Sequence, residues 1–431
     1  MSKVNMMSAK DKKKGSLVPR LRFPEFNGEW RSQPLGELAF IIKEKAGDRK
    51  CILMSIMSGV GLIPQIDKFG KEIAGQQYKN YIILHKNDFA YNKSSTKEYP
   101  EGFIAMYIGT EIAAVPNSIF TCFKIKVADI AHLYLNYLFL YNFHGKYLRR
   151  YITIGARSHG ALAIDDADLL SLPIPYPTGN TSFKEQQRIA DCLSSLDERI
   201  AAETNKLDAL KAHKKGLLKQ LFPAEGETLP ALRFPKFRNA GEWEKSTVND
   251  LLTESCQIGS KGNKAKKLTV KLWGKGVFEK EEIFQGSVNT QYYRRRSGQF
   301  IYSKLDFLNQ AFGIIPHYLD GFESTVDLPC FDFRSDVNPI FFLEYVKREA
   351  FYKKFGEIAD GGRKAKRIQV DVFLSFPVLL PPQTKEQQQI ADCLSSLDEL
   401  ITAQGQKIEL FKDHKKGLMQ QLFPRIDEVL A

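Results

Sequence analysis

Two blocks of this chain occur twice, and that repetition restricts the fold more than any other feature. Lys184-Glu185-Gln186-Gln187 is followed at Ile189 by Ile-Ala-Asp-Cys-Leu-Ser-Ser-Leu-Asp-Glu, and the same run returns from Lys385-Glu386-Gln387-Gln388 and Ile390. The copies continue through His213-Lys214-Lys215-Gly216-Leu217 and His414-Lys415-Lys416-Gly417-Leu418, and both close on Leu-Phe-Pro. A second block opens each half: Leu21-Arg22-Phe23-Pro24-Glu25-Phe26 with Trp30, and Leu232-Arg233-Phe234-Pro235-Lys236-Phe237 with Trp243. The chain is two tandem halves, each a variable stretch followed by a repeated tail.

The tails read as helices. Ile189, Leu193, Leu196, Ile200, Leu207, Leu210, Leu217 and Leu221 recur at alternating spacings of three and four, with Glu203 and Lys214 interrupting in register. The second copy keeps the frame through Ile390, Leu394, Leu397, Ile401, Ile408, Phe411, Leu418 and Leu422, interrupted by Gln404 and Lys415. This is a heptad seam, and matching seams invite pairing with each other. About 37 residues of helix would make a rod of roughly 55 Å. Pro223 and Pro230 end the first helix, because proline cannot sit in a continuing one.

Between the blocks a fainter correspondence persists. Asp88-Phe89-Ala90-Tyr91-Asn92-Lys93 matches Gln299-Phe300-Ile301-Tyr302-Ser303-Lys304, Gly59-Val60-Gly61 matches Gly274-Lys275-Gly276, and Leu170-Ser171-Leu172-Pro173 parallels Leu374-Ser375-Phe376-Pro377. The two variable regions are expected to share a fold. Short apolar runs at 81–84, 89–91, 120–127, 300–302 and 376–380 predict strands, and 131–151 and 339–355 predict helix. The expected class is α+β: two β-rich domains, each followed by a long helix, the helices forming an antiparallel coiled coil with pseudo-twofold symmetry. The expected divisions are a basic tail (1–20), domain (21–180), helix (181–223), linker (224–231), domain (232–382), helix (383–424) and tail (425–431).

Composition narrows the partners. Among 431 residues, 62 Lys plus Arg stand against 50 Asp plus Glu, a net charge of +12 that favours a polyanion. No stretch approaches the roughly 18–20 apolar residues of a spanning helix, and the lysine-rich start has no apolar core, so a cytoplasmic location and no membrane partner are expected. Six scattered cysteines form no CxxC pair, so no metal site is expected and the thiols should be reduced and mostly buried. No GxxxxGK[ST] loop and no HExxH occurs. Asn338-Pro339-Ile340-Phe341 imitates a methyltransferase motif without its second proline, and reads as a helix start with proline at its first position. No catalytic residue is assigned.

The duplicated blocks and their order resemble the specificity subunit of type I restriction-modification enzymes over essentially the whole chain. The resemblance implies that each variable region is a target-recognition domain for one half of a bipartite site on double-stranded DNA. It implies helices that set the spacing and dock two methyltransferase subunits, with motor-nuclease subunits joining for cleavage. It also places S-adenosylmethionine, ATP and Mg on those partners, with no cofactor here and adenine N6 as the methylated atom. Two readers on one spacer also make a geometric ruler, with half-site centres about 34–36 Å apart. Two other readings remain at this stage: a stand-alone DNA-binding regulator, and a coiled-coil scaffold that never touches DNA.

Base edges are read by Arg or Lys on guanine and Asn or Gln on adenine, with most contacts going to phosphate. Polar loops carrying these types are the candidates: Asn92, Lys93, Ser94 and Lys97, then Arg157, Ser158 and His159, in the first domain. In the second they are Arg294, Arg295, Arg296, Lys304, Asn309, Gln310, Arg363, Lys364, Lys366 and Arg367. Tyr91 and Tyr302 sit in strand-like runs and read as core. His213 and His414 read as helix or subunit contacts, and Lys214, Lys215, Lys415 and Lys416 as a free basic seam or a solvated face.

Overall fold

In the computed structural model the described residues are 5–6, 17–57, 59–152, 162–281, 286–357 and 367–429. They form two compact units. One runs through Glu203 and takes in the chain again from Lys407; the other is Thr204–Gln406. Each unit therefore contains the base of one long helix and the tip of the other, and the unit boundary falls within both helices, Ser182–Leu221 and Thr384–Leu422.

The first unit carries two four-stranded sheets. One is antiparallel, in the order Ala39–Ile41, Phe120–Ile125, Phe89–Asn92, Phe103–Met106. The other runs Gly61–Pro64, Ile52–Met57, Ala113–Val115, Ile82–Leu84, with one parallel pairing, Ala113–Val115 on Ile52–Met57. Trp30–Pro34 pairs with Pro173–Pro177 and brings the two ends of the domain together.

In the second unit the corresponding strands keep the corresponding order: Leu252–Ser255, Cys330–Phe333, Phe300–Tyr302, Phe312–Ile314. The end-to-end pairing recurs as Glu244–Thr247 on Pro377–Leu380. The two variable regions thus share a fold, as the faint correspondence predicts. They differ in their second sheets. Here a three-stranded sheet of Ile258–Lys261, Gln291–Arg294 and Glu323–Ser324 stands beside a hairpin, Leu268–Lys271 with Gly276–Glu279.

The predicted helices at 131–151 and 339–355 are each broken once. His132–Leu140 is followed by Phe143–Leu148 after Asn142, which takes a left-handed φ of 59°, and Pro339–Val346 is followed by Glu349–Gly356. Asn338 caps the latter pair as expected, its Oδ1 accepting from Phe341 N at 2.9 Å with Pro339 at the first position.

Both repeated blocks have structural work. Glu185 accepts two hydrogen bonds from the Arg22 guanidinium, at 2.7 and 2.8 Å, and Glu386 takes two from Arg233, both 2.7 Å. Gln186 accepts from Ala131 N at 2.9 Å and Gln387 from Asn338 N at 2.9 Å, so each glutamine ties the start of its long helix to the start of a domain helix. The closing Leu-Phe-Pro serves the other half's domain. Phe423 packs on Tyr134 (ring centroids 5.4 Å) in the first unit, and Phe222 on Phe341 (5.3 Å) in the second. Leu422 and Phe423 belong to the first core, with Trp30, Tyr134 and Leu193, and Leu221 and Phe222 to the second.

Pairing of the long helices is antiparallel within each unit. In the first, Asp197 meets Lys415 at 2.5 Å and Glu203 meets Lys407 at 2.8 Å, so partner numbers fall as positions rise. In the second, Lys214 meets Asp398 at 2.7 Å, the reciprocal of the Asp197 pair. Seam residues Leu196, Ile200, Leu207 and Leu210 are only half-buried, because a two-helix ribbon covers one face of each member. Where the seam is interrupted, Glu203 and Gln404 are buried.

Candidate nucleic-acid interface

In each domain a buried strand carries, at or next to its last position, a tyrosine whose hydroxyl is spent on a backbone carbonyl: Tyr91 donates to Glu101 O at 2.8 Å and Tyr302 to Ile368 O at 3.1 Å. Both side chains are fully buried, and burial raises both phenol pKa values well above the ordinary range. They are core, as their place in strand-like runs predicts. Two residues further on, the chain emerges at a lysine held from both sides. Lys93 N donates to Ile119 O and Lys93 O accepts from Leu162 N, both at 2.8 Å. Lys304 repeats this, donating to Asp327 O and accepting from Ile368 N, both at 3.0 Å.

This pinning joins candidates that lie far apart in sequence. Leu162 directly follows the stretch that contains Arg157, Ser158 and His159, and Ile368 follows the run containing Arg363, Lys364, Lys366 and Arg367. In each unit the lysine loop is therefore clipped to one end of the second candidate segment. Arg157, Ser158, His159, Arg363, Lys364 and Lys366 themselves lie outside the described residues.

The remaining candidates divide by exposure. Lys97, Arg294, Arg296 and Arg367 are exposed; Arg296 pairs with Asp332 at 3.0 Å, and Arg367 lies 3.9 Å from Asp327. Lys93, Ser94, Lys304, Asn309 and Gln310 are half-buried. Asn92 is buried, its Oδ1 accepting from Ser94 N at 3.0 Å, a local Asx turn that shapes the loop. Asn309 Nδ2 donates to Asp306 and Gln310 Nε2 to Lys347 O, both at 3.3 Å.

Arg295 is a correction. Only 2% exposed, it donates to Ser324 Oγ (2.8 Å), Ser255 O (2.6 Å) and Leu328 O (3.2 Å), so its guanidinium ties the three-stranded sheet to the end of Leu252–Ser255 and is turned away from solvent. The strand Gln291–Arg294 ends just before it, and where the chain leaves the sheet Arg295 is turned inward while Arg294 and Arg296 stay exposed.

The basic seam is corrected as well. Lys214 lies between Asp398 (2.7 Å) and the buried Glu344 (3.0 Å), and Lys415 bonds Asp197 beneath the Tyr137 ring. Burial alone would push the Glu344 carboxyl up, but Lys347 and Lys214 outweigh it and hold the group below its ordinary value. Lys215, Lys416, His213 and His414 are exposed. Of the cysteines, only Cys122 and Cys330 are buried, with burial pushing the Cys330 thiol up to about 12; Cys51, Cys192 and Cys393 are half-buried and Cys256 is exposed, so fewer are buried than expected. Among the described residues no helix is long and apolar enough to cross a membrane, and no cluster of His, Cys, Asp or Glu is placed to hold a metal ion.

One basic element escaped the sequence reading. Between 261 and 280 stand seven lysines against one glutamate, and they belong to the hairpin Leu268–Lys271 with Gly276–Glu279 and its approach. Its signal in the sequence is local charge density, spread over two short strands and their turn and not gathered in one polar loop.

Two β-rich units built on one plan, braced by duplicated helices and presenting unlike polar loops, have the construction of a DNA-specificity protein. Residues 27–212 match the family model described as Type I restriction modification DNA specificity domain. That stretch, which spans the first variable region and most of its long helix, is thus similar to a DNA-specificity domain of the type I restriction-modification systems. Two solved structures share its fold over nearly the whole chain. One is a type I restriction-modification system S subunit from M. genitalium, at 14% identity and a TM-score of 0.52, covering 94% of this chain and 99% of that one. The other comes from work on complex assembly and conformational transition of the type I R-M system, at 15% identity and a TM-score of 0.55, covering 92% and 99%.

Proposed function

We propose that the two units read the two halves of one interrupted, asymmetric site on double-stranded DNA. The observation that carries this reading is the matched clipping at Lys93 and Lys304: the same backbone anchors hold loops of different sequence. A shared scaffold with unlike loops suits two unlike half-sites, since loop side chains decide which base edge is met. Lys93, Ser94, Lys97 and the 157–159 segment serve the first half-site. Arg294, Arg296, Lys304, Asn309, Gln310 and the 363–367 segment serve the second, with many of these groups holding phosphate.

The long helices set the gap between half-sites and dock two methyltransferase subunits, and motor-nuclease subunits complete the assembly. This chain carries no catalysis and no cofactor; S-adenosylmethionine, ATP and Mg act on the partners, and the work is cytoplasmic. The test is methylome sequencing of cells expressing this chain with its methyltransferase subunit, against cells lacking the chain. A single interrupted motif that disappears with the chain is expected. Unchanged methylation by an active partner overturns the reading in favour of a stand-alone regulator.

A further inference from the structure

Trp273 stands at the tip of the lysine-rich hairpin, 60% exposed and with a left-handed φ of 62°. A bulky side chain in that region is a backbone outlier, and such strain persists only where the surroundings impose it. Here they do. Trp273 N donates to Asn309 O at 2.7 Å and Gly274 N to Gln310 O at 2.9 Å, and Gln310 is itself left-handed, with φ 54°. The tip is thus locked onto the turn that bears two of the candidate base readers, with its indole turned out to solvent. The other two tryptophans, Trp30 and Trp243, are 6% and 2% exposed.

Lys271 and Lys275 flank the tip, while Lys264, Lys266 and Lys280 lie at the other end of the hairpin and on its approach. Lys264, Lys266, Lys271, Lys275 and Lys280 are all exposed, and none has an ion-pair partner among the described residues. A large apolar patch would point to a protein partner, but an exposed indole flanked by two unpaired lysines, Lys271 and Lys275, on a lysine-rich hairpin fits a polyanion whose interior is aromatic. The matching turn of the first domain carries Val60, 64% exposed, between Gly59 and Gly61, so an outward apolar tip recurs without the indole.

We propose that Trp273 is a DNA-contacting wedge: the lysines hold the phosphates on either side while the indole stacks on or between bases at the edge of the second half-site. Apolar wedges set between base steps unstack and kink the duplex, and aromatic rings stack on any base. The assignment rests on the DNA-reading function above and adds a specificity-determining residue to it. Its preference would follow how easily a step unstacks, so flexible pyrimidine–purine steps are favoured there.

The full-length chain, alone and with its methyltransferase subunit, is titrated at low salt with an end-labelled mixed-sequence duplex of about four helical turns. Label anisotropy reads binding, and acrylamide quenching of tryptophan reads indole access. Because the other two tryptophans are buried, the quenchable signal belongs to Trp273. Expected are loss of acrylamide access together with DNA binding, no such loss with heparin, which has charge but no bases, and disappearance of the effect in W273F. K271Q/K275Q should flatten the slope of log affinity against log salt by about 2. If the duplex binds while Trp273 stays as quenchable as in the free chain, the wedge is overturned and the DNA-reading function stands. If no duplex binds even with the methyltransferase present, both fall.

Discussion

Arg233 and Glu386 meet in a fork of two 2.7 Å hydrogen bonds, with 7% and 1% of their side chains exposed. The fork fixes where the second domain begins against where its long helix starts. Removing one charge strands the other out of water, so Glu386→Gln should cost about 3–5 kcal/mol. Urea denaturation followed by Trp243 fluorescence measures this. The double variant R233M/E386M should keep more stability than E386Q alone; if it is the less stable, the pair contributes more than its own desolvation cost.

His144 is fully buried, and burial lowers its pKa to about 4 from an ordinary 6.5. The unfolded chain therefore takes up a proton at a higher pH than the fold does. Stability from neutral His144 is complete above about 6.5 and is lost as pH falls toward 4, by about 3 kcal/mol in all. His144→Phe should flatten the dependence of the urea midpoint between pH 4 and 6.5; an unchanged slope would assign the acid sensitivity to other groups.

Arg294 and Arg295 are neighbours with opposite expectations. Arg294→Gln should leave stability near wild type and reduce the salt slope of DNA binding by about 1, as loss of one phosphate contact does. Arg295→Gln removes donors from the half-buried carbonyls of Ser255 and Leu328 and from buried Ser324, and should cost about 1–3 kcal/mol of stability. Anisotropy at a series of salt concentrations, beside thermal melts, separates the two. A salt-slope change in R295Q with full stability would contradict its burial.

Phe423→Ala should open the first unit, not the second, by about 3–5 kcal/mol. Hydrogen exchange reads this directly: protection should fall across 132–140 and hold across 339–346. Phe222→Ala should give the mirror result.

Much of this fold is written in the repeats. Lys-Glu-Gln-Gln and Leu-Arg-Phe-Pro recur because Glu185 and Glu386 each need their arginine and Gln186 and Gln387 each seat a domain helix. Pattern reading finds the blocks but not that they touch, since residues 163 apart, as Arg22 and Glu185 are, leave no mark in local periodicity. The breaks at Asn142 and before Glu349 were hidden because an apolar run continues through them. Among the candidate contacts composition could not set Arg295 apart, because three consecutive arginines look alike in sequence and only the middle one is turned inward by its partners Ser324, Ser255 and Leu328. Trp273 carries no mark in the sequence, since one aromatic beside a glycine is ordinary in a hairpin turn; only its φ and exposure set it apart.

The first unit is closed by residues from Lys407 onward, whereas the second is one uninterrupted stretch of chain. On the ribosome the part made first is therefore finished last. At about 5–20 residues per second, the domain around Tyr134 waits about 10–40 s for the segment that brings Phe423 to it. Until then its seat is open apolar surface, so a nascent chain stalled before the second helix is the form of this protein most in need of a chaperone.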